Sequence, residues 1–243
     1  MTIPHFVRNH YKIIKALLNF GRDRHCPICG FSFRRFLPYD FALETRDDAV
    51  CIYCGSLERH RLLWIFLKQR TNLFDGRPKR VLHVAPEPCI ESRISCSIGS
   101  GYLTADLANP RAMVKMDVTQ IEFEDESFDV IICNHVLEHI MDDRKAMREF
   151  NRILKPHGWA ILLVPITAQK TYEDFSITSP RERLLAFGQE DHVRRYGPDY
   201  VDRLRESGFA VNVIFPADLM QRSDVVRMGL TSSMTGEIYC CTK

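Results

Sequence analysis

The spacing of apolar residues changes period along the chain of 243 residues. Residues 5–20 (HFVRNHYKIIKALLNF) set Ile13, Ile14, Leu17, Leu18 and Phe20 on one side of a basic helix. Such a helix packs on the body or, with its short apolar face, lies on a membrane surface. A second helix is expected over 56–71, with Ser56 as N-cap and Leu62, Leu63, Ile65, Phe66 and Leu67 as apolar surface. NLFDGRPK then reads as a linker, through Asp75, Gly76 and Pro78. From residue 80 onward, apolar runs of strand length alternate with helical spacing. The expected strands are 80–85 (RVLHVA), 102–106, 113–117, 128–133, 159–165, 209–215 and 237–242. Between them, Ile90, Ile94 and Ile98 form a helical stripe stopped by Gly99. Residues 142–154 form a helix capped by Asp142 or Asp143, with Ala146, Met147, Phe150, Ile153 and Leu154 inward, ended by Lys155-Pro156-His157-Gly158. A last helix over 198–207 stops at Gly208. This alternation predicts an α/β sheet. Residues 166–197 are too long and too polar for a simple connector, and a second long loop separates the last two strands.

Composition narrows the class. At 45% hydrophobic and 26% charged residues, the chain is neither disordered, collagenous nor coiled-coil. No apolar run reaches the ~18 residues of a membrane span. The opening MTIPHFVRNHYK lacks the apolar core of a secretory signal, so a cytoplasmic protein is expected. The net charge of +2 conceals a split: residues 1–80 carry +8 and the remainder −6. Arg outnumbers Lys by 24 to 9, which suits bidentate capture of phosphate or carboxylate. Either the basic part meets an anionic partner or it docks on the acidic remainder.

Four of the nine cysteines form the only internal repeat, the knuckles CPICG and CIYCG. Cys26, Cys29, Cys51 and Cys54 make two C-x-x-C pairs, each able to present two thiolates to one ion. Four thiolates select tetrahedral zinc and leave no open position, so the site is expected to be structural. His25 and His60 lie nearby but are not needed as ligands. Phe31, Phe33, Phe36, Tyr39 and Phe41, interleaved with Arg34 and Arg35, read as the small module's core ahead of a base-stacking surface. Arg59, His60 and Arg61, at the start of the following helix, suit either an anion or a surface ion pair with Glu58.

Residues 80–166 resemble the class I S-adenosylmethionine-dependent methyltransferases, above all in MDVTQIEFEDESFDVIICNHVLEHIMDDRKAMREFNRILKPHGWAILLVP. Residues 199–243 fit the final helix and strand pair of that fold, and the stretch with CGSLERHR is similar to a subgroup of bacterial methyltransferases of unassigned acceptor. The resemblance implies a Rossmann-like seven-stranded sheet, mostly parallel with the last strand antiparallel. A small zinc-ribbon or rubredoxin-like module precedes it. The organisation expected is an N-terminal helix (1–24), a zinc module with connecting helix (25–75) and a methyltransferase domain (76–243). The family's pattern places the ribose at Asp106 with Leu107 beside it, adenine at Asp117 and the Val118 N–H, and the reactive methyl near Asn134 and His135.

The first loop, VLHVAPEPC, departs from the family. His83 stands where an acidic residue belongs, and Ala85, Glu87 and Cys89 stand where glycines belong. Pro86 and Pro88 remove two N–H donors, so this loop cannot hold the cofactor by backbone alone. Glu87 is expected to pair with the methionyl ammonium; the opposing reading is a site that has lost its ligand. The gap between Asp106 and Asp117 is too short for the usual helix.

Methyl transfer is an in-line displacement governed by positioning, with or without a proton acceptor. His135 is the first candidate base or orienter and His192 the second, against a structural role for each. Glu138 and His139 read as capping or packing residues, and Cys133 lacks a paired base. Tyr172, Phe175, Arg181, Arg183, Arg194, Arg195 and Tyr196 either line an acceptor pocket or face solvent. The acceptor expected is a small molecule or glycan precursor, with an anionic group suited to these arginines. An RNA acceptor docked by the zinc module and a non-catalytic binding protein are the alternatives.

Overall fold

The computed structural model describes residues 13–41 and 44–243. Positions 1–12 of the expected N-terminal helix lie outside the described residues. The chain divides into two compact units, residues 1–70 with 216–235 and residues 71–215 with 236–243. The division therefore differs from a break near residue 76: an internal stretch of twenty residues joins the N-terminal unit, and the sheet resumes after it.

In the first unit, helix α1 covers 13–18 and stops earlier than its apolar spacing implied. Phe20 instead opens strand β1 (Phe20–His25), paired antiparallel with β2 (Ser32–Phe33). The expected apolar face of α1 is exposed at Ile13, Ile14, Leu17 and Leu18. Strand β3 (Leu37–Phe41) pairs with β4 (Glu44–Val50). Helix α2 (Glu58–Arg70) follows and buries Leu62, Leu63, Trp64, Ile65, Phe66 and Leu67. Phe33 and Phe36 are fully buried, as the core reading of the aromatics requires, whereas Phe31 is exposed. Two short helices, Pro216–Leu219 and Arg222–Arg227, bring the inserted stretch into this unit.

The second unit is a seven-stranded sheet. Its strands are β5 (Val81–Val84), β6 (Tyr102–Asp106), β7 (Val114–Lys115), β8 (Phe128–Asn134), β9 (Leu154–Leu163), β12 (Ala210–Ile214) and β13 (Ile238–Thr242). A separate ribbon joins β10 (Tyr172–Glu173) to β11 (Arg194–Arg195). The sheet order is β12-β13-β9-β8-β5-β6-β7, and only β13 runs antiparallel to its neighbours. Every expected strand from residue 80 on is present, some shorter than read. β9 is longer, beginning at Leu154 directly after helix α4 (Asp143–Ile153). Asp142 caps α4 by accepting the Lys145 N–H at 2.9 Å, and Ala146, Met147, Phe150 and Ile153 are fully buried. Helix α3 (Pro88–Ile98) ends at Gly99, and α6 (Tyr200–Glu206) matches the last expected helix. Residues 166–197 are more ordered than expected, holding the β10–β11 ribbon and helix α5 (Pro180–Phe187). No described helix is long and apolar enough to cross a membrane.

Candidate functional site

In the N-terminal unit, each cysteine knuckle begins where a strand ends. Cys26 follows β1 and Cys51 follows β4. Gly30 donates its N–H to Cys26 O and Gly55 to Cys51 O, both at 2.9 Å. These two glycines turn the chain with φ of +79° and +73°, a region unfavourable to other residues. The repeat brings all four sulfurs together: Cys26–Cys54 is 3.6 Å and Cys29–Cys51 is 3.7 Å. Both distances are too long for a disulfide. A tetrahedron of ~2.3 Å metal–sulfur bonds puts its sulfurs about 3.8 Å apart, so the set fits zinc. The Ser56 hydroxyl lies 3.3 Å from both Cys26 and Cys54 sulfurs, so this buried serine faces the thiols and does not cap α2. The crowded sulfurs, Cys29 first and then Cys51 and Cys54, drive the proton off Cys26 despite burial.

Arg61 corrects the anion reading of this helix. It is fully buried and stacks 4.2 Å over Phe36. It donates to the carbonyls of Ala49 (2.9 Å), Ser56 (2.9 Å), Met228 (2.7 Å) and Gly229 (3.2 Å). His60 Nδ1 accepts the Leu57 N–H at 3.2 Å. Glu58 is buried too, bonded by both Arg46 Nε and Nη2. These groups build the unit and leave Arg61 unable to meet a ligand.

In the second unit, the carboxyl ends of β5 and β8 converge on Glu87. His83 Nε2 bonds Glu87 Oε2 at 2.8 Å, and Asn134 Nδ2 donates to Oε1 at 2.9 Å. His83 is fully buried, with Nδ1 2.7 Å from the Tyr102 hydroxyl. Burial, then the charges of Glu91 and Glu87, raise the Tyr102 hydroxyl far above its ordinary value, so it stays protonated and donates to Nδ1. That leaves Nε2–H to donate to Glu87. Glu87, at the N-terminus of α3, thus sets a carboxylate against the His83 ring. Asn134 Oδ1 is buried without a partner among the described residues. The loop's departure from glycine has a cost: Ala85 takes φ +47°. Pro86 beside it is half-buried.

Asp106 and Asp117 both serve as turn residues. Asp106 Oδ1 accepts the Ala108 and Asn109 N–H groups at 2.8 Å; Asp117 Oδ1 accepts the Thr119 N–H and hydroxyl, also at 2.8 Å. These bonds hold the Asp117 carboxyl below its usual range. A cleft of about 350 Å³ opens beside Asp117, lined also by Val114, Lys115, Met116, Gln120 and Phe123. Leu107 is exposed and Val118 buried.

Beyond β8 the backbone bends sharply at His135, φ +54°, into a 3₁₀ turn over Leu137–His139. His135 Nδ1 lies 3.3 Å from Glu138 Oε1. Glu138 is buried, in line with the packing half of the packing-or-capping expectation; burial opposes its charge, but His135 and His139 hold its carboxyl below the usual range. The segment 191–196 runs along this turn, and Val193 N–H donates to Glu138 O at 3.0 Å. His192 is buried, with its ring 4.7 Å from that of His139. Arg194 and Tyr196, expected to line an acceptor pocket or to face solvent, are core residues instead. Arg194 is fully buried and donates to the Leu137, Ile140 and Met141 carbonyls and to Glu173. Tyr196 donates to Asp143 at 2.7 Å. Arg195 donates to the Thr167 carbonyl and Arg183 to Ile177 O. Tyr172, Phe175 and Arg181 remain exposed. Burial raises the Cys133 thiol well above its ordinary value, as an inert cysteine requires. The sequence signal for Glu138 was its spacing: His135, Glu138 and His139 stand at i, i+3 and i+4 on one turn.

Residues 97–162 match a family described as a methyltransferase domain. A provisionally named methyltransferase of Encephalitozoon cuniculi is 28% identical over 134 residues, 49% of this chain and 64% of that protein. The demethylmenaquinone methyltransferase of Staphylococcus aureus (strain JH9) is 36% identical over 72 residues, 30% of this chain and 29% of the relative. The chain thus spans less than two thirds of either relative. A solved S-adenosylmethionine-dependent methyltransferase of Mesorhizobium loti superposes with TM-score 0.51 at 16% identity, covering 75% of this chain and 98% of that one. The sheet order and parallel strands give the second unit an α/β methyltransferase fold, within which residues 97–162 match a methyltransferase domain. It resembles the S-adenosylmethionine-dependent class I methyltransferases, and the N-terminal unit adds a four-cysteine cluster.

Proposed function

We propose that the protein transfers a methyl group from S-adenosylmethionine to a small-molecule or glycan-type acceptor, and that a structural zinc ion holds its N-terminal unit. The observation that carries the reading is the Glu87 carboxylate, fixed by His83 and Asn134 at the carboxyl ends of neighbouring parallel strands. Ligands of open α/β sheets bind at that edge. When bound, the cofactor supplies a methyl group activated on a sulfonium. Glu87 and the unpartnered Asn134 Oδ1 are two acceptors suited to its ammonium. Asp106 holds ribose hydroxyls, while Asp117 and the Val118 N–H take the adenine edge. These roles replace the backbone donors that Ala85, Pro86 and Pro88 cannot provide.

His135 is the group assigned to the acceptor. Glu138 fixes its Nδ1 side, which leaves Nε2 to orient the acceptor or take its proton. His192 is buried against His139 and is not assigned as a base. Exposed Tyr172 and Phe175 offer flat apolar surface to a ring-containing acceptor. The anionic preference inferred from the arginines is weakened, because Arg194 and Arg195 hold backbone. RNA docking through the start of α2 likewise loses Arg61. Titration calorimetry with S-adenosylmethionine and its demethylated product tests the reading. Binding is expected in the wild type, with at least a tenfold loss in Glu87→Gln, equivalent to about 1.4 kcal/mol. No heat at millimolar ligand would leave the non-catalytic reading in its place.

A further inference from the structure

The Glu138 carboxylate, His139 and His192 each offer a ligand atom within 4.8 Å of the others, although His192 lies 53 residues beyond His139 in the chain. Three features of this cluster point to a bound cation. First, Glu138 Oε2 is buried with no hydrogen-bond partner among the described residues. An ionised carboxylate oxygen left dry and unpaired is expensive, and a coordinated cation removes that cost. Second, both rings are oriented from behind. His139 Nδ1 lies 3.2 Å from Asp191 Oδ2, which leaves Nε2 as its ligand atom. The His192 ring bonds the Phe187 backbone carbonyl, which leaves its other nitrogen with the lone pair. A carboxylate or carbonyl behind the imidazole is the usual outer partner of a metal-binding histidine. Third, the fold holds the two segments in register: Val193 bonds Glu138 O, and Arg194 clamps the carbonyls of Leu137, Ile140 and Met141.

We propose that Glu138, His139 and His192 form a second metal site, independent of the four cysteines, for a divalent first-row transition cation. Two imidazoles and one carboxylate suit zinc, manganese, iron or nickel better than magnesium or calcium, which take oxygen ligands. Three protein ligands leave at least one coordination position open to water or a ligand oxygen, unlike the closed four-cysteine set. His135 is the positioning residue of the site, holding Glu138 Oε1 at 3.3 Å so that Oε2 meets the ion.

The two sites are separable by cobalt, because thiolate ligands give an intense charge-transfer band and nitrogen–oxygen ligands do not. The full chain is stripped of metal and titrated with Co²⁺, with bound cobalt counted by equilibrium dialysis. The expected result is two equivalents, one developing the thiolate band and one silent in it. His192→Ala and Glu138→Gln should keep the band and weaken the silent equivalent at least 100-fold. Asp191 is largely exposed, so Asp191→Asn spares the fold and should weaken the same equivalent about tenfold. A single equivalent in the wild type up to millimolar cobalt overturns the proposal. So does a second equivalent unchanged by Glu138→Gln and Asp191→Asn. The count needs no methyl acceptor and no bound cofactor, so it stands apart from the methyl-transfer reading.

Discussion

Arg61 shows how one residue can change meaning between sequence and structure. Beside Arg59 and His60 at a helix start it has the appearance of an anion-binding group. In the fold it is wholly enclosed, and two of its four carbonyl partners come from Met228 and Gly229, 167 and 168 residues away. No local pattern encodes a contact of that range. Its charge has a second use: burial alone would lower its basicity, and the nearby Cys26, then Glu58, Cys51 and Cys54, counter that loss. The zinc tetrathiolate proposed for this unit would carry a formal charge of about −2, part of which Arg61 would offset. Arg61→Met keeps much of the stacking volume on Phe36 but removes the side-chain donor from four carbonyls, of which Ser56 O keeps the Cys51 N–H. We expect it to destabilise the N-terminal unit by about 3 kcal/mol, measured by urea unfolding of the zinc-loaded protein. The loop residues of VLHVAPEPC were more legible. The absence of glycines implies that a side chain must replace backbone donors, and Glu87, which the fold brings to the β8 end, is the one proposed for that role.

Elements with strong local period were read almost to their ends. Strand β6 matches its expected bounds, and α4 differs by one residue at each end, because its apolar stripe and Asp142 cap are written within one short window. The ribbon β10–β11 was not anticipated, since two-residue strands carry no period and owe their pairing to distant side chains. Glu173 in β10 is the link: it accepts Arg194 Nε at 2.9 Å and both Arg203 Nη atoms at 3.0 Å. Arg203 Nη1 in turn reaches Asp143 at 3.0 Å, so ribbon, α6 and α4 share one ion network. Burial works against the Glu173 charge, yet Arg203 and Arg194 outweigh it and hold the carboxyl below its ordinary value of 4.5. With the folded value depressed, the contribution to stability is fully present above the unfolded value and disappears as pH falls through the folded one. Glu173→Gln should therefore lose about 1–2 kcal/mol at pH 7, a range reduced for partial exposure, and much less at pH 3. Urea unfolding at a series of pH values measures the difference; a constant loss across the series would mean that packing, and not the charge, holds the ribbon.

At the scale of the molecule, the chain leaves the sheet after β12 and returns only for β13, spending residues 216–235 in the N-terminal unit. The sequence disclosed a long loop there but not where it belongs, because its anchors are backbone carbonyls and a buried Leu230, which no motif marks. The basic charge of the N-terminal part gains a location from this arrangement. Its cysteines, Arg61 and the 216–235 stretch form one stabilised body, and such a small core depends on its staple. Each unit also has separate sources of stability. The sheet unit buries β5 completely and β8 almost so, and contains none of the four knuckle cysteines. Removing zinc should therefore unfold the first unit while the second persists. Amide hydrogen exchange with and without a strong chelator tests this. Protection should fall in 46–70 and in 222–230 together, although these stretches are more than 150 residues apart. Amides of β5, β8 and α4 should keep their protection. If 222–230 stays protected while the knuckles exchange freely, the inserted stretch does not depend on the metal-held core for its order.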